Sequence, residues 1–391
     1  MKPTIRSEND SVRFTFANHT AELQNRVSAW FSARLAELQE PLRTLVAQRL
    51  FIHHEGRSFD NPFRVEFSLT FQRTLRVPDD GRDYPLPAGL GRLPVRSVRA
   101  LSSPAIPEAW RNIPSTIIPL HPAEATWLSF DGSHPFAVQI AAGGICAASG
   151  LPHVQTLSRD PQNYLSIPTQ PWLDGFRVDA HTVRQFVAMP LGHGYTVEGQ
   201  MTGQEKRGAV QMRVVPLTVD ALWTRKVLPN CEARWTYLIR PARNEDAMEE
   251  TRLYSIQACS GGCEEVGFGA GGRIRQEIYA DPLPPGLWDE NAALACENHL
   301  ILADRWTEFT GEPMPTKPPT PEQYANAGIP WFDYESKAAP LTTPSLLSSI
   351  KSVGAIFKTK SGLDLPHNDS IPVPATQKLH ATGKAATGGT S

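Results

Sequence analysis

The residues of this chain with the clearest capacity for acid–base chemistry lie at predicted turns between apolar runs. The segment RQFVAMPLGHGYTVEGQMTG joins two apolar stretches by a Gly-His-Gly turn, which is typical of a β-hairpin. A histidine near a carboxylate can transfer protons as a general acid or base. The candidate catalytic residues are His193, Glu198, Asp131 and His134.

A second set of polar and aromatic residues at turns and strand faces could bind a ligand. Arg273 and Arg275 alternate on one predicted strand, so together they could hold a small anion or carboxylate through charge-assisted hydrogen bonds. The candidate ligand-binding residues are Arg184, Tyr195, Trp172, Arg273 and Arg275.

The same residues also have a structural interpretation, which we favour. Asp131, Asp160 and Asp174 can hydrogen-bond the backbone of their own turns, and His193 can lie solvated between its glycines. Arg184 and Glu198 alternate with apolar neighbours, so they can form the outward face of two paired strands. His193 and Glu198 are separated by an odd number of positions and would face opposite ways in a regular strand.

Familiar catalytic and cofactor motifs are absent from the sequence. It contains no G-x-S-x-G elbow, no H-E-x-x-H, no Walker-type G-x-x-x-x-G-K and no Cys-x-x-Cys pair. The glycine-rich run 267–272 continues into a strand-like pattern rather than a helix, which favours a hairpin connection over a nucleotide site. Cys259 and Cys263 lack the second pair that a zinc site needs. We therefore predict no cofactor and no metal.

Composition and charge restrict the expected partners and compartment. A net charge of −2 and a pI near 6.6 provide no general attraction to nucleic acids or anionic lipids. No apolar run approaches the roughly 20 residues that span a bilayer, and the first residues lack the apolar core of a secretory signal. We expect a soluble cytoplasmic protein without a transmembrane segment.

The N-terminal region has the period of a helix. From 18 to 50, apolar residues recur at threes and fours, which predicts an amphipathic helix. Asn18 or Thr20 could cap its start, and Pro41 should bend or divide it. The helix could pack on its own domain, or its 20–50 stretch could serve self-association or bind another protein.

Strand patterns dominate the middle of the chain. The period changes to two at 63–71, and short apolar runs separated by turn residues fill 126–213. Such spacing indicates a sandwich or barrel, and the 35 prolines favour many short elements. The strand pattern resumes at 235–240, 253–257 and 273–279. The predicted fold class is mainly β (α+β), with an antiparallel sandwich or barrel-like core and an N-terminal amphipathic helix.

Helices are predicted to close the folded part before a loose tail. The segment 288–309 suits a helix that stops at Gly311, and Thr320 can cap a second helix. Beyond 336 the composition favours disorder, apart from a short amphipathic stretch at 344–358 that could dock on the chain, bind a partner or touch a membrane. The predicted regions are a helical region 1–55, a β-rich core 56–335 and a largely disordered tail 336–391.

Several blocks of the sequence resemble an uncharacterised family of bacterial and fungal proteins. The blocks are WLSFDGSHPFAVQIAAGGICAASG, SRDPQNYL, QPWLDGF, RQFVAMPLGHGYTVEGQMTG, GAGGRIRQEIYADP and AGIPWFDY, and the resemblance covers 84–334. Members are sometimes labelled integral membrane proteins, but this sequence departs from that label because it offers no spanning segment. The resemblance implies no activity.

Three functions are compatible with these patterns. The first is a non-enzymatic β-sandwich module that binds a ligand or a protein and self-assembles through its N-terminal helix. The second is an enzyme in which His193 transfers a proton, Glu198 orients it, and Arg184 or Arg275 holds an anionic substrate. The third is a peripheral membrane protein. The enzyme requires the turns at 131–134, 159–161, 192–198 and 267–275 to converge on one pocket.

Overall fold

A computed structural model describes residues 3–55, 63–239 and 265–380. The strands are β1 Thr4–Glu8, β2 Ser11–Thr15, β3 Glu66–Thr74, β4 Asp83–Tyr84, β5 Leu86–Pro87, β6 Gly89–Arg92, β7 Arg96–Ser97, β8 Ser115–Leu120, β9 Ala125–Gly132, β10 Phe136–Ala142, β11 Ile145–Cys146, β12 Leu165–Ile167, β13 Trp172–Leu173, β14 Gly175–Arg177, β15 Thr182–Pro190, β16 Val210–Pro216, β17 Glu265–Arg275, β18 Leu294–Leu302, β19 Trp331–Glu335 and β20 Gln377–His380. The helices are α1 Ala17–Ala36, α2 Leu42–Glu55, α3 Glu108–Arg111, α4 Val197–Thr202, α5 Val219–Leu222, α6 Leu228–Leu238, α7 Trp306–Thr310, α8 Pro321–Asn326 and α9 Val353–Ser361.

Most strands belong to one large, mainly antiparallel sheet. Its hydrogen-bonded neighbours follow the order β1, β2, β3, β9, β15, β17, β18, β16, β10 and β12. The sheet folds back on itself, because Phe67 of β3 packs on Phe136 of β10 with ring centroids 5.5 Å apart. Within the described residues the strands do not close into a ring. The predicted mainly β class with a sandwich-like core is confirmed.

Helix α1 covers one side of this sheet with the apolar stripe that its sequence predicts. Leu23, Val27 and Phe31 are buried at a four-residue spacing, and α1 and α2 flank Pro41 as expected. The predicted caps are wrong. The helix begins one residue before Asn18, and the Thr20 hydroxyl accepts the N–H of Val65 at 3.0 Å, which ties the helix to the strand region.

Two segments have the opposite secondary structure from the one predicted. The middle of the helix expected over 288–309 is β18, which pairs with β16 on one side and with β8 on the other. The helical parts of this segment are short 3₁₀ turns at Glu290–Ala292 and Ala303–Arg305 and α7, which ends at Gly311 as predicted. Positions 235–238 of the strand expected at 235–240 belong to α6, whose Trp235 packs on Trp30 of α1. The strand expected at 253–257 lies outside the described residues.

The hairpin predicted over 184–203 is only half correct. Strand β15 forms as expected, but the chain then enters α4, whose N-terminus is capped by the Thr196 hydroxyl. The glycine run 267–272 lies inside β17 rather than in a hairpin connection. A Cβ on Gly269 would lie 2.3 Å from Cγ1 of Val353. Glycine is therefore required there because α9 approaches the strand closely.

The C-terminal segment packs on the sheet. Of the three alternatives for its amphipathic stretch, the structure therefore shows docking on the same chain. Leu347, Val353, Ile356 and Ile371 are buried, and the N–H of Asp79 donates to the side chain of Asn368 at 2.9 Å. The expected disorder is therefore not met between 336 and 380, while 381–391 lies outside the described residues. Apolar residues of the predicted helical region, β-rich core and tail share one core.

Candidate ligand-binding cleft

A cleft opens between β19 and the segment that follows β17. Strand β19 forms a small second sheet with β5 and β20, and the space between this sheet and the large one has a volume of about 430 Å³. Small-molecule sites commonly have volumes of roughly 300–1,000 Å³. The residues that line the cleft are Asp83, Leu86, Trp172, His181, Thr182, Arg275, Gln276, Glu277, Tyr279, Asp333, Tyr334, Glu335 and Ser336.

Three of these residues form an aromatic cluster. The rings of Trp172 and Tyr334 lie edge to face with centroids 4.7 Å apart, and Tyr279 follows at 6.2 Å from Tyr334. Trp172 and Tyr334 are half-buried, so part of each ring faces the cleft. Burial raises the pKa of both tyrosines, which keeps their hydroxyl groups protonated at neutral pH.

The charged residues of the cleft are paired. Arg275 donates to Asp333 at 2.7 Å and His181 lies 2.7 Å from Glu277. Two further carboxylates pair with cations just outside the lining: Asp83 with Arg273, and Glu335 with Lys378 of β20. Three carboxylates of the cleft therefore have a cationic partner, and the fourth, Glu277, has the His181 imidazole as its partner.

A buried carboxyl group lies behind the aromatic cluster. Asp174 is 2 % exposed, and burial raises its pKa to about 7, against the lowering effect of hydrogen bonds from the Trp172 and Gln276 side chains. The Gln276 amide donates to this carboxylate at 2.9 Å and accepts the N–H of Asp174 at 2.9 Å. Asp174 thus holds in place two side chains that line the cleft.

Two of the predicted ligand-binding residues lie in this cleft, and a third lies beside it. Trp172 and Arg275 line it, and Arg273 binds Asp83 at its edge. Both arginines are already paired with carboxylates, which disfavours the predicted binding of an anion by these two side chains. Arg184 lies elsewhere: it donates to Asp79 at 3.1 Å, and Asp79 also accepts from Ser352 at the start of α9.

The predicted catalytic pair does not form a reactive site. His193 lies exposed on the turn after β15, where its carbonyl accepts from Lys360. Both carboxylate oxygens of Glu198 accept main-chain N–H groups of the 206–208 loop at 2.9–3.1 Å. Glu198 therefore orders that loop rather than a histidine. Tyr195 lies under the ammonium group of Lys360, 4.9 Å from its ring centre.

Two of the turns proposed to converge meet, since Thr196 forms a β-bridge with Gly269, whereas the turns at 131–134 and 159–161 contact other parts of the molecule. Asp131 is exposed at the end of β9 and His134 is buried, and the Ser133 between them bonds the main chain of Glu66. Arg159 instead reaches Asp281 at 2.8 Å. The 192–198 turn also bonds the 204–208 loop and α9, and no residue of the turns at 131–134, 159–161 and 192–198 lines the cleft.

Sequence reasoning missed the residues that organise the cleft. Asp174 was expected to bond its own turn, and Gln276 and Tyr334 were not among the candidates. Tyr334 stands in an aromatic-rich block, WFDY, and Trp172 precedes Asp174 by two positions. These short spacings are a local signal from which an aromatic site could have been predicted. The hydrogen bond between Asp174 and Gln276 joins positions 102 apart, so no local pattern in the sequence indicates it.

The fold and the cleft define a large antiparallel-sheet protein with an aromatic, ion-paired cleft. Comparison with protein-family models, curated proteins and solved structures finds no match for the chain. In the described part of the chain, no helix is long and apolar enough to cross a membrane. The same residues contain no group of three or more metal-ligating side chains; Cys259 and Cys263 lie outside them.

Proposed function

We propose that this chain is a non-enzymatic binding protein whose small-molecule ligand occupies the cleft between β19 and the end of β17. The observation that carries the proposal is the pair of half-buried rings of Trp172 and Tyr334 that line this space, with the buried ring of Tyr279 packed beside Tyr334. Partly exposed aromatic rings surrounded by polar groups are characteristic of ligand sites. The buried network of Asp174 and Gln276 supports pre-organisation, which favours binding.

The catalytic alternative has less support. Its proton carrier, His193, is exposed, and the oxygens of Glu198 are occupied by main-chain donors. Asp174 has the perturbed pKa of many functional groups, but it lies behind Trp172 and is 2 % exposed. These positions favour a role in holding the site over contact with a reacting substrate.

The membrane alternative also has less support. Its expected contact surface is the apolar side of the 344–358 stretch, and Leu347, Val353 and Ile356 are buried against the sheet. Membrane contact through these side chains would require the segment to leave its docked position. The binding proposal requires no such change.

The proposal is tested by screening a library of neutral, cationic and anionic small molecules by ligand-observed NMR. We expect at least one class to bind the wild type and to lose binding in Trp172→Ala. Trp30→Ala is the matched control, because Trp30 is a half-buried tryptophan on α1 that packs on α6. Equal binding by all three proteins, for every class that binds, would refute the cleft as the site.

A further inference from the structure

The carboxylates around the cleft already have partners. Asp83, Asp333 and Glu335 pair with Arg273, Arg275 and Lys378, and Glu277 lies 2.7 Å from the imidazole of His181. An ionic ligand gains most where it meets an unpaired charge of opposite sign, and like charges at an interface are costly. Here a cation or an anion would have to compete with a pair that already exists.

The same groups leave many hydrogen-bonding positions for a neutral ligand. A carboxylate accepts at about four lone-pair sites and a guanidinium donates through five N–H groups. Asp333 uses its oxygens for Arg275 and Thr376, and Arg275 also donates to the carbonyl of Asp83 at 3.2 Å. Such planar, pre-oriented side chains can accept from one hydroxyl group of a ligand and donate to the next.

The aromatic cluster adds an apolar surface next to these polar groups. Trp172 and Tyr334 are half-buried and meet at an angle of 65°, so their rings form a corner rather than a flat stack. A sugar ring has the matching chemistry, because its C–H faces are apolar and its edge carries hydroxyl groups. A volume of about 430 Å³ is near the lower end of the usual range for ligand sites, which suits one or two such rings.

We infer that the cleft recognises an uncharged, polyhydroxylated ligand of the carbohydrate class. This inference rests on the proposed function, since it assigns a ligand class to the same cleft. The Trp172 and Tyr334 rings contact the C–H face of the sugar, and the Arg275–Asp333 pair bonds adjacent hydroxyl groups. Asp174 and Gln276 position Trp172 from behind.

The experiment compares neutral sugars with a cationic and an anionic sugar. Glucose, galactose, mannose, xylose and the β-linked and α-linked disaccharides of glucose are measured by saturation-transfer NMR, with glucosamine and glucuronate as the charged sugars. We expect at least one neutral sugar to bind, and glucosamine and glucuronate to bind at least about tenfold more weakly than that sugar. Tyr334→Phe keeps the ring and should bind within about twofold of wild type, whereas Tyr334→Leu should lose most of the binding.

Three results would overturn the inference. The first is equal or tighter binding of glucosamine or glucuronate, and the second is binding of another class from the small-molecule library while no sugar binds. The third is equal sugar binding by the Phe and Leu variants of Tyr334 when circular dichroism shows both folded. Of these, a non-sugar ligand that depends on Trp172 would leave the proposed function standing, whereas a library without any Trp172-dependent ligand would remove both.

Discussion

At the scale of single residues, buried carboxyl groups do the most to define this molecule. Burial raises the pKa of Asp174 to about 7, against the lowering effect of hydrogen bonds from the Trp172 and Gln276 side chains. The side chain of Asp281 is also buried, but it accepts from Arg159, Tyr164 and Trp288 at 2.7–2.9 Å. The first group supports the cleft, and the second joins separate loops. Their different surroundings lead to different predictions.

The folded pKa of Asp174 lies above the ordinary aspartate value, so the folded state binds the proton more tightly than the unfolded state. The stability that this provides is fully present below about pH 4 and is lost as the pH rises to about 7. We expect the free energy of unfolding of wild type, relative to Asp174→Asn, to fall across this window and to level off above it. Urea titrations of both proteins at several pH values measure the difference. A difference that is constant or rises with pH would contradict the assigned environment.

Replacing Asp281 removes the shared acceptor of three side-chain donors. Because hydrogen bonds to charged groups contribute about 1.5–3 kcal/mol each and their loss leaves buried donors unsatisfied, Asp281→Ala should lower the free energy of unfolding by about 3 kcal/mol or more. Asp160→Ala is the control, since Asp160 is exposed and should cost little. Similar denaturation midpoints for the two variants would show that the Asp281 cluster is unimportant for stability.

At the scale of elements, local pattern predicted some segments well and non-local pairing decided others. The alternation at 63–71 predicted β3, and Thr320 and Gln323 form the predicted capping box of α8. The helix-like spacing at 288–309 failed because β18 is hydrogen-bonded on both sides, by β16 and β8, and such pairing overrides weak local propensity. The aromatic cluster could not be predicted from local pattern for the same reason, since Trp172 and Tyr334 come into contact only when both sheets have formed.

The contact between β17 and α9 depends on Gly269. A Cβ there would lie 2.3 Å from Cγ1 of Val353 and 2.9 Å from the carbonyl of Tyr195. Gly269→Ala should therefore lower the free energy of unfolding by about 1–3 kcal/mol, the usual cost of overpacking, and should expose the C-terminal segment to protease. Adding Val353→Ala, which removes one of the two clashes, should cost less than the sum of the single changes. If the loss in the free energy of unfolding of the double variant equals the sum of the two single losses, the two residues are not in contact as described.

Self-association through the N-terminal helices remains a prediction. Leu35 and Leu38 are half-buried against the core, whereas Leu42 and Leu45 on α2 are 40 % and 44 % exposed. If the helices assemble, Leu42→Glu with Leu45→Glu should lower the mass measured by light scattering without lowering the thermal midpoint. Leu35→Glu with Leu38→Glu is the comparison, and it should destabilise the fold. A monomeric mass for wild type would end the self-association hypothesis.

At the scale of the whole molecule, the sheet, the N-terminal helix and the C-terminal segment share one hydrophobic core. Strand β20 pairs with β19, and its Lys378 and the preceding Thr376 bond two carboxylates of the cleft, Glu335 and Asp333. The C-terminal segment therefore supplies partners for two of the carboxylates on which the ligand assignment rests. Neither the short apolar runs nor the composition of the tail predicted this role, because it depends on contacts between distant parts of the chain.

The most direct measurement of the central claim locates a bound ligand beside Trp172. The chain has nine tryptophans, which can be labelled with 5-fluorotryptophan and observed by fluorine NMR, and Trp172→Phe and Trp30→Phe assign two of the resonances. Binding in the cleft predicts that the Trp172 resonance shifts in proportion to saturation by a ligand found in the screen, while the Trp30 resonance stays in place. A ligand that binds and shifts other resonances but leaves that of Trp172 unchanged would contradict the account.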